Sequence, residues 1–217
     1  AADHDDLGDA GQGPPACVGD VRNSGGNFLQ TRFKANHARK GSAFATTPDA
    51  GDAAVYQDEA IDFVRRNWGD VRVLVDLDNE PDLWSGTHAR IHPQPVTYAE
   101  LIDRTLTYAA AVKDAWPAAE TLGFVSYGYA GYLNLQNAPD AGGRPFIPTF
   151  LDAVRAAETT AGHKLVDYLD LHWYPEARGD GQRISDTSGA TGAAARVQAP
   201  RSLWDATYEE DSWIVND

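Results

Sequence analysis

The chain has 217 residues, 42% of them apolar, enough to bury a core in a single domain. Eighteen basic residues stand against 32 acidic ones, a net charge of −14. That balance argues against nucleic acid or an anionic membrane surface as partner, because both require basic patches. The lone Cys17 excludes an internal disulfide and cannot build a zinc site by itself, and no apolar stretch reaches membrane-spanning length.

Residues 1 to about 50 are rich in Gly, Pro, Asp and Asn without a sustained period, and read as an irregular, partly mobile lead-in. Its start, Ala1-Ala2-Asp3-His4, has neither the basic nor the apolar region of a signal peptide, so none is visible. Tyr56, Ala60, Val64 and Trp68 then recur at the spacing of a helix's inner stripe. The run Val71-Arg72-Val73-Leu74-Val75, continued to Leu77, reads as a buried strand. Thr97-Tyr98-Ala99-Glu100 is a capping box. It opens a helix whose face is Tyr98, Ile102, Leu106, Ala109, Val112 and Trp116, and which Pro117 stops. Thr121–Ser126 is a second strand, Thr149–Ala161 a further helix around Leu151 and Val154, and Val166–Trp173 a third strand. Gly179 to Ala195 reads as loop, and Arg201 to Ile214 as a final aromatic stretch. Strands alternating with helices imply an α/β fold with a parallel sheet. A closed barrel needs eight strands over typically about 250 residues, so the chain reads as part of a barrel with open sheet edges.

The most informative segment is Asp78-Asn79-Glu80-Pro81, followed by Trp84. It sets an amide and a carboxyl at the C-terminal tip of a strand, where the catalytic groups of α/β barrels sit. Pro81 ends the ladder because it has no N–H. Trp84 offers a flat face for a sugar ring and partly desolvates Glu80, as a carboxyl that must donate a proton requires. This is the pattern of a glycosidase, with Glu80 as one of two carboxyl groups; a salt-bridged loop Glu is the competing reading. Glu176, in the strand-end motif His172-Trp173-Tyr174-Pro175-Glu176, is the other carboxylate weighed. His88 and His92 have a helical metal-ligand spacing, but Ala89 stands where a zinc protease needs Glu, and Pro93 disfavours helix.

Further segments carry a family likeness: Leu77-Asp78-Asn79-Glu80-Pro81, Thr87-His88, Ile91-His92-Pro93, Gly131-Tyr132-Leu133-Asn134-Leu135-Gln136-Asn137-Ala138-Pro139-Asp140, Leu169-Asp170-Leu171-His172-Trp173-Tyr174-Pro175-Glu176, Arg201-Ser202-Leu203-Trp204-Asp205 and Ser212-Trp213-Ile214. Together these resemble glycoside hydrolase family 44, the endoglucanases and xyloglucanases, from roughly Asn27 to Ile214. The resemblance implies a (β/α)8 TIM barrel with a small β-sandwich domain. It implies retaining hydrolysis of β-1,4-glucan backbones (cellulose-like glucan, carboxymethylcellulose, xyloglucan), no organic cofactor, and an extracellular, monomeric enzyme whose partner is the polysaccharide. Residues 51–217 would be a partial catalytic domain holding about strands four to six. Glu80 would be the general acid/base, and Asn79 would bond the sugar 2-hydroxyl or orient the nucleophile.

In the family the nucleophile is a Glu ending the seventh strand in a Thr-Glu-Tyr-like context. No such motif occurs here, so the expectation is a fragment holding half of the catalytic pair and inactive alone. Glu176, which would end strand six, is not expected to replace it. His172 and Tyr174 are expected to line the site by hydrogen-bonding sugar hydroxyls or the carboxylates, with a satisfied core His the alternative; Trp84, Trp173, Trp204, Tyr208 and Trp213 are candidate stacking faces for glucose rings, Trp204 first, with core packing the alternative for each. Asp49 and Asp52 match an Asp-x-x-Asp segment of the family and are candidate ligands for a structural calcium. The reading from a different class is a truncated homologue that binds carbohydrate without turnover; a third is that open sheet edges make the chain aggregate.

Overall fold

The computed structural model of the protein describes residues 26–216 apart from 32 and 50. Along it run α1 (Phe28–Thr31), β1 (Ala35–His37), β2 (Ala54–Tyr56), α2 (Gln57–Trp68), β3 (Leu74–Asp76), α3 (Trp84–Thr87), α4 (Tyr98–Ala115), β4 (Glu120–Ser126), α5 (Tyr129–Asn134), α6 (Phe146–Ala161) and β5 (Tyr168–Leu171). A second compact unit begins at His172. Cys17 and the first half of the expected lead-in lie outside the described residues.

In the first unit β3, β4 and β5 pair in parallel in that order, Leu74 opposite Glu120 and Leu122 opposite Tyr168. α4 returns the chain from β3 to β4, and α5 and α6 lie between β4 and β5. The strand starts are tied by Arg72, whose guanidinium reaches Glu120 at 2.5 Å and the Tyr168 hydroxyl at 2.6 Å. The core is aromatic. Phe146 packs tilted against Tyr98 and edge to face against Phe124, at 4.6 Å each, and Phe124 packs tilted against Phe150 at 5.1 Å. Removing one such ring costs about 3–5 kcal/mol. A second cluster, Ile61, Val112, Trp116 and Ala119, joins α2 to α4, with Val73 and Val75 packed on it.

Several expectations need correcting. β3 is short and is not buried: it is an edge strand, and Leu74 is 50% exposed. The inner face of α2 is Ile61 and Val64, while Tyr56 belongs to β2 and Trp68 is exposed. Acids account for the shift. Asp58, Glu59 and Asp62 are buried on this helix. Glu59 takes the Lys40 ammonium at 2.6 Å and the Ala45 N–H at 2.7 Å, Asp58 takes the Lys40 N–H, and Asp62 takes Arg65 and Arg66. These bonds fasten Lys40 and Ala45 to α2, residues 38–49 hold no helix or strand, and β1 pairs in parallel with β2, Ala35 opposite Ala54.

The capping box is made from one side. Thr97 Oγ1 accepts the Glu100 N–H at 3.0 Å, and Asp140 adds bonds from the Tyr98 and Ala99 amides, so three otherwise orphan donors are satisfied. The Glu100 carboxylate faces His92 Nε2 and Arg104 Nε instead, 2.9 Å from each. α6 starts before Thr149, because Pro148 in its first turn lacks only an N–H that would find no helical partner. Its buried stripe is Phe146, Phe150 and Val154, and Leu151 points outward. Gly162, at φ +77°, closes the helix in the left-handed conformation that glycine adopts without steric cost.

The second unit holds β6 (Arg178–Gly179) and β7 (Gln182–Arg183), an antiparallel hairpin, then α7 (Ala190–Gln198) and a 3-10 turn, Ala199–Leu203. The stretch from Gly179 to Ala195 is thus structured. Asp180-Gly181, both at positive φ, is the two-residue turn such a hairpin requires. Its small core is Ala177, Ile184 and Ala199, with Trp173 and Ala195 against it.

Candidate active site

The last rung of β3 is the Leu77 N–H bonding Leu122 O at 3.1 Å. Beyond it the chain turns sharply. Asp78 and Glu80 both have positive φ, and Glu80 sits in the left-handed region at φ 52°, ψ 53°. The turn is held from both sides: the Glu80 N–H donates to Val125 O, and its own carbonyl accepts the Leu83 N–H, 2.9 Å each, as Pro81–Leu83 winds into a 3-10 turn. Val125 is itself at φ 59°, where β4 bulges between Phe124 and Ser126. A β-branched residue there is strained. Strain gathered at adjoining strand tips is a feature of functional sites. Glu80 is half-buried, and Asn79 beside it is exposed, its N–H closing on Asp78 Oδ1 at 2.6 Å.

Two residues on, Asp82 is buried, 6% exposed, and its Oδ1 accepts the Tyr127 N–H at 3.0 Å. Burial pushes its carboxyl above the usual Asp range, and the Glu80 charge adds to this; the Tyr127 N–H and the Gln136 amide oppose it, without completing a hydrogen bond to Oδ2. Oδ2 and Ser126 Oγ crowd the bare face of Gly131, where a Cβ would collide with both. Tyr132, on the same helix as Gly131, has its hydroxyl pushed up by burial and by the Asp82 charge.

Trp84 follows at the head of α3, half-buried against the main core. His92 packs on its ring at 5.1 Å and the Arg104 guanidinium lies over it at 5.6 Å. The ring expected to be a sugar platform is thus already engaged by protein. His92 is bonded to Glu100 and His88 to Thr87, which gives each a local role.

The other sequence candidates belong to the second unit. Trp173 packs in its core. His172 and Tyr174 meet edge to face at 6.2 Å, and Tyr174 is exposed. Trp204 is 72% exposed, whereas the Tyr208 ring is covered by Arg201 at 4.7 Å. Arg201 is pinned in turn by Asp205, which bonds from Thr207 and Arg201 hold down to about pKa 2. Glu176 accepts from Arg183 with one oxygen and from Trp213 Nε1 at 2.9 Å with the other, a pin of this unit.

Asp49 and Asp52, the candidate calcium ligands, each already hold a protein donor. Asp52 Oδ2 takes the Lys40 ammonium at 3.1 Å, and Asp49 Oδ1 takes the Gly51 N–H at 2.7 Å. Among the described residues no group of three or more His, Cys, Asp or Glu side chains is placed to hold a metal ion. Nor, among them, is any helix long and apolar enough to cross a membrane.

The sequence profile of glycoside hydrolase family 44 matches residues 14–177. The chain belongs to glycoside hydrolase family 44. Endoglucanase A of Paenibacillus lautus is 44% identical over 192 residues, 81% of this chain and 27% of that protein. A family 44 xyloglucanase of Paenibacillus polymyxa, solved with xyloglucan, superposes with a TM-score of 0.83 at 39% identity over 92% of this chain and 41% of its own. The family 44 endoglucanase of Clostridium thermocellum gives 0.83 at 41% identity, over 92% and 42%. The chain therefore spans about a quarter to two-fifths of the length of these relatives. Sequence reasoning about the family 44 motif missed Asp82, Ser126 and Gly131. The available signal was an Asp inside the motif followed by a glycine in a helix, and only the folded contact joins them.

Proposed function

We propose that this chain supplies the acid/base part of a retaining family 44 glycosidase that cleaves β-1,4-glucan backbones such as cellulose-like glucan or xyloglucan. Its sheet would be strands four to six of a (β/α)8 barrel. The observation that carries the reading is the left-handed turn at the tip of β3, which presents Glu80 while its amide is anchored to β4. A carboxyl fixed in this way can protonate the leaving glycosidic oxygen and afterwards activate water. Asn79, exposed next to it, is assigned to the sugar 2-hydroxyl or to orienting the nucleophile. Double displacement needs a second carboxylate about 5–5.5 Å away, which this reading takes from another barrel strand, since Glu176 is engaged by Arg183 and Trp213. Exposed Trp204 and Tyr174 are assigned to sugar stacking. No organic cofactor enters this mechanism, a polymeric substrate fits a secreted enzyme, and a monomer is what the family resemblance implies.

The test grafts these residues in place of the corresponding segment of the Paenibacillus polymyxa xyloglucanase. Reducing-sugar release from xyloglucan and carboxymethylcellulose is then assayed beside the 217-residue chain. The graft should turn over with retention of anomeric configuration, and Glu80→Gln should remove about two orders of magnitude or more of the rate. A Glu80→Gln graft with full activity would refute the assignment. Glucan retention on an affinity gel without turnover would favour the carbohydrate-binding alternative, for which exposed Trp204 is the supporting feature.

A further inference from the structure

We propose that Asp82 is a positioning residue for the acid/base, its buried carboxyl group clamping the Glu80 turn onto the end of β4. The inference rests on Glu80 being the acid/base. The geometry assigns Asp82 this part for three reasons. Its Oδ1 takes the Tyr127 N–H at 3.0 Å, and the Glu80 N–H reaches Val125 O at 2.9 Å, so two bonds in opposite directions stitch the turn to the strand on either side of Ser126. The turn they close is strained at Asp78, Glu80 and Val125 and would relax without them. A burial this deep for a carboxylate with one hydrogen bond has no evident stabilising purpose. An apolar residue at 82 would avoid the cost of desolvating a charge.

Two substitutions test the clamp, made in the graft described above. Asp82→Ala removes the acceptor. We expect kcat per titrated active site to fall about 10–100-fold with KM little changed, as for a reacting group moved by a fraction of an ångström. Asp82→Asn keeps an oxygen for the Tyr127 N–H and should restore most of kcat. If Asp82→Asn folds yet loses as much kcat per active site as Asp82→Ala, the clamp is overturned. If both variants lower only the fraction of folded enzyme, with kcat per active site intact, Asp82 is a structural residue and the proposal fails. Glu80→Gln is run alongside: activity surviving there overturns the acid/base assignment, whereas its loss beside an Asp82→Ala variant of unchanged kcat overturns only this inference.

Discussion

Asp167→Asn tests how charges hold the sheet together. Lys113, 7% exposed on α4, points its ammonium at Asp167 Oδ2 and at Ala119 O, 2.6 Å from each. The same Oδ2 accepts the Thr121 N–H at 2.8 Å at the start of β4. At an effective dielectric near 20, charges so close attract by about 6 kcal/mol, most of which offsets the cost of taking both out of water. The substitution keeps an acceptor for Thr121 but strands a buried ammonium, so it should cost about 3–5 kcal/mol in urea unfolding at neutral pH. Lys113→Met leaves a carboxylate that is still bonded and partly solvated, and should cost less. The double variant should cost clearly less than the sum of the two, because neither charge is left alone. The pH dependence has a defined sign. Burial alone would raise the Asp167 carboxyl, but the bonds from Lys113 and Thr121 together hold it below the ordinary Asp value. Its stabilisation is therefore complete above the unfolded-state value near 4 and is lost as pH falls through the lower folded value. The gap between wild type and Asp167→Asn should narrow over that acid range. A cost below about 1 kcal/mol, full additivity of the pair, or a gap independent of pH would each refute the reasoning.

Further predictions concern the turn, the second unit and metal. Gly131→Ala should destabilise by about 1–3 kcal/mol in urea, because the new methyl meets Ser126 Oγ and Asp82 Oδ2; a gain in stability, as helix propensity alone would give, would contradict the packing. Trp204→Ala should leave the melting temperature unchanged, since the ring is mostly exposed, while reducing retention on a xyloglucan affinity gel; unchanged retention would remove Trp204 as a stacking residue. Excess EDTA should not shift the melting temperature, given that Lys40 occupies Asp52 and the Gly51 amide occupies Asp49; a drop would reveal a bound metal.

The βαβ order and the Asn-Glu-Pro tip were legible because each rests on local chemistry: a run of apolar residues, a helical period, a proline without an N–H. Elements whose stability comes from polar partners were not. The stripe on α2 was misjudged because a count of apolar residues cannot see that Glu59 is buried by Lys40, 19 positions earlier. The hairpin at Asp180-Gly181 carried a readable turn signal, but its strands are two residues each and leave no alternation to detect.

The same asymmetry separates the aromatic candidates. Trp84, Trp173 and Trp204 are equivalent in a sequence, since each has a flat apolar face beside polar neighbours. The fold sets His92 and Arg104 on the first, packs the second, half-buried, against the small core of the second unit, and leaves the third in water. Asp82 is the sharper case. In the motif it is indistinguishable from an exposed turn aspartate, because local propensity rewards both equally. What makes it different is the Tyr127 amide arriving from 45 residues away, in a place where Gly131 leaves room for the carboxylate. A residue whose role depends on a long-range contact leaves no periodic trace, so the groups that position a catalytic carboxyl are harder to read from sequence than the carboxyl itself.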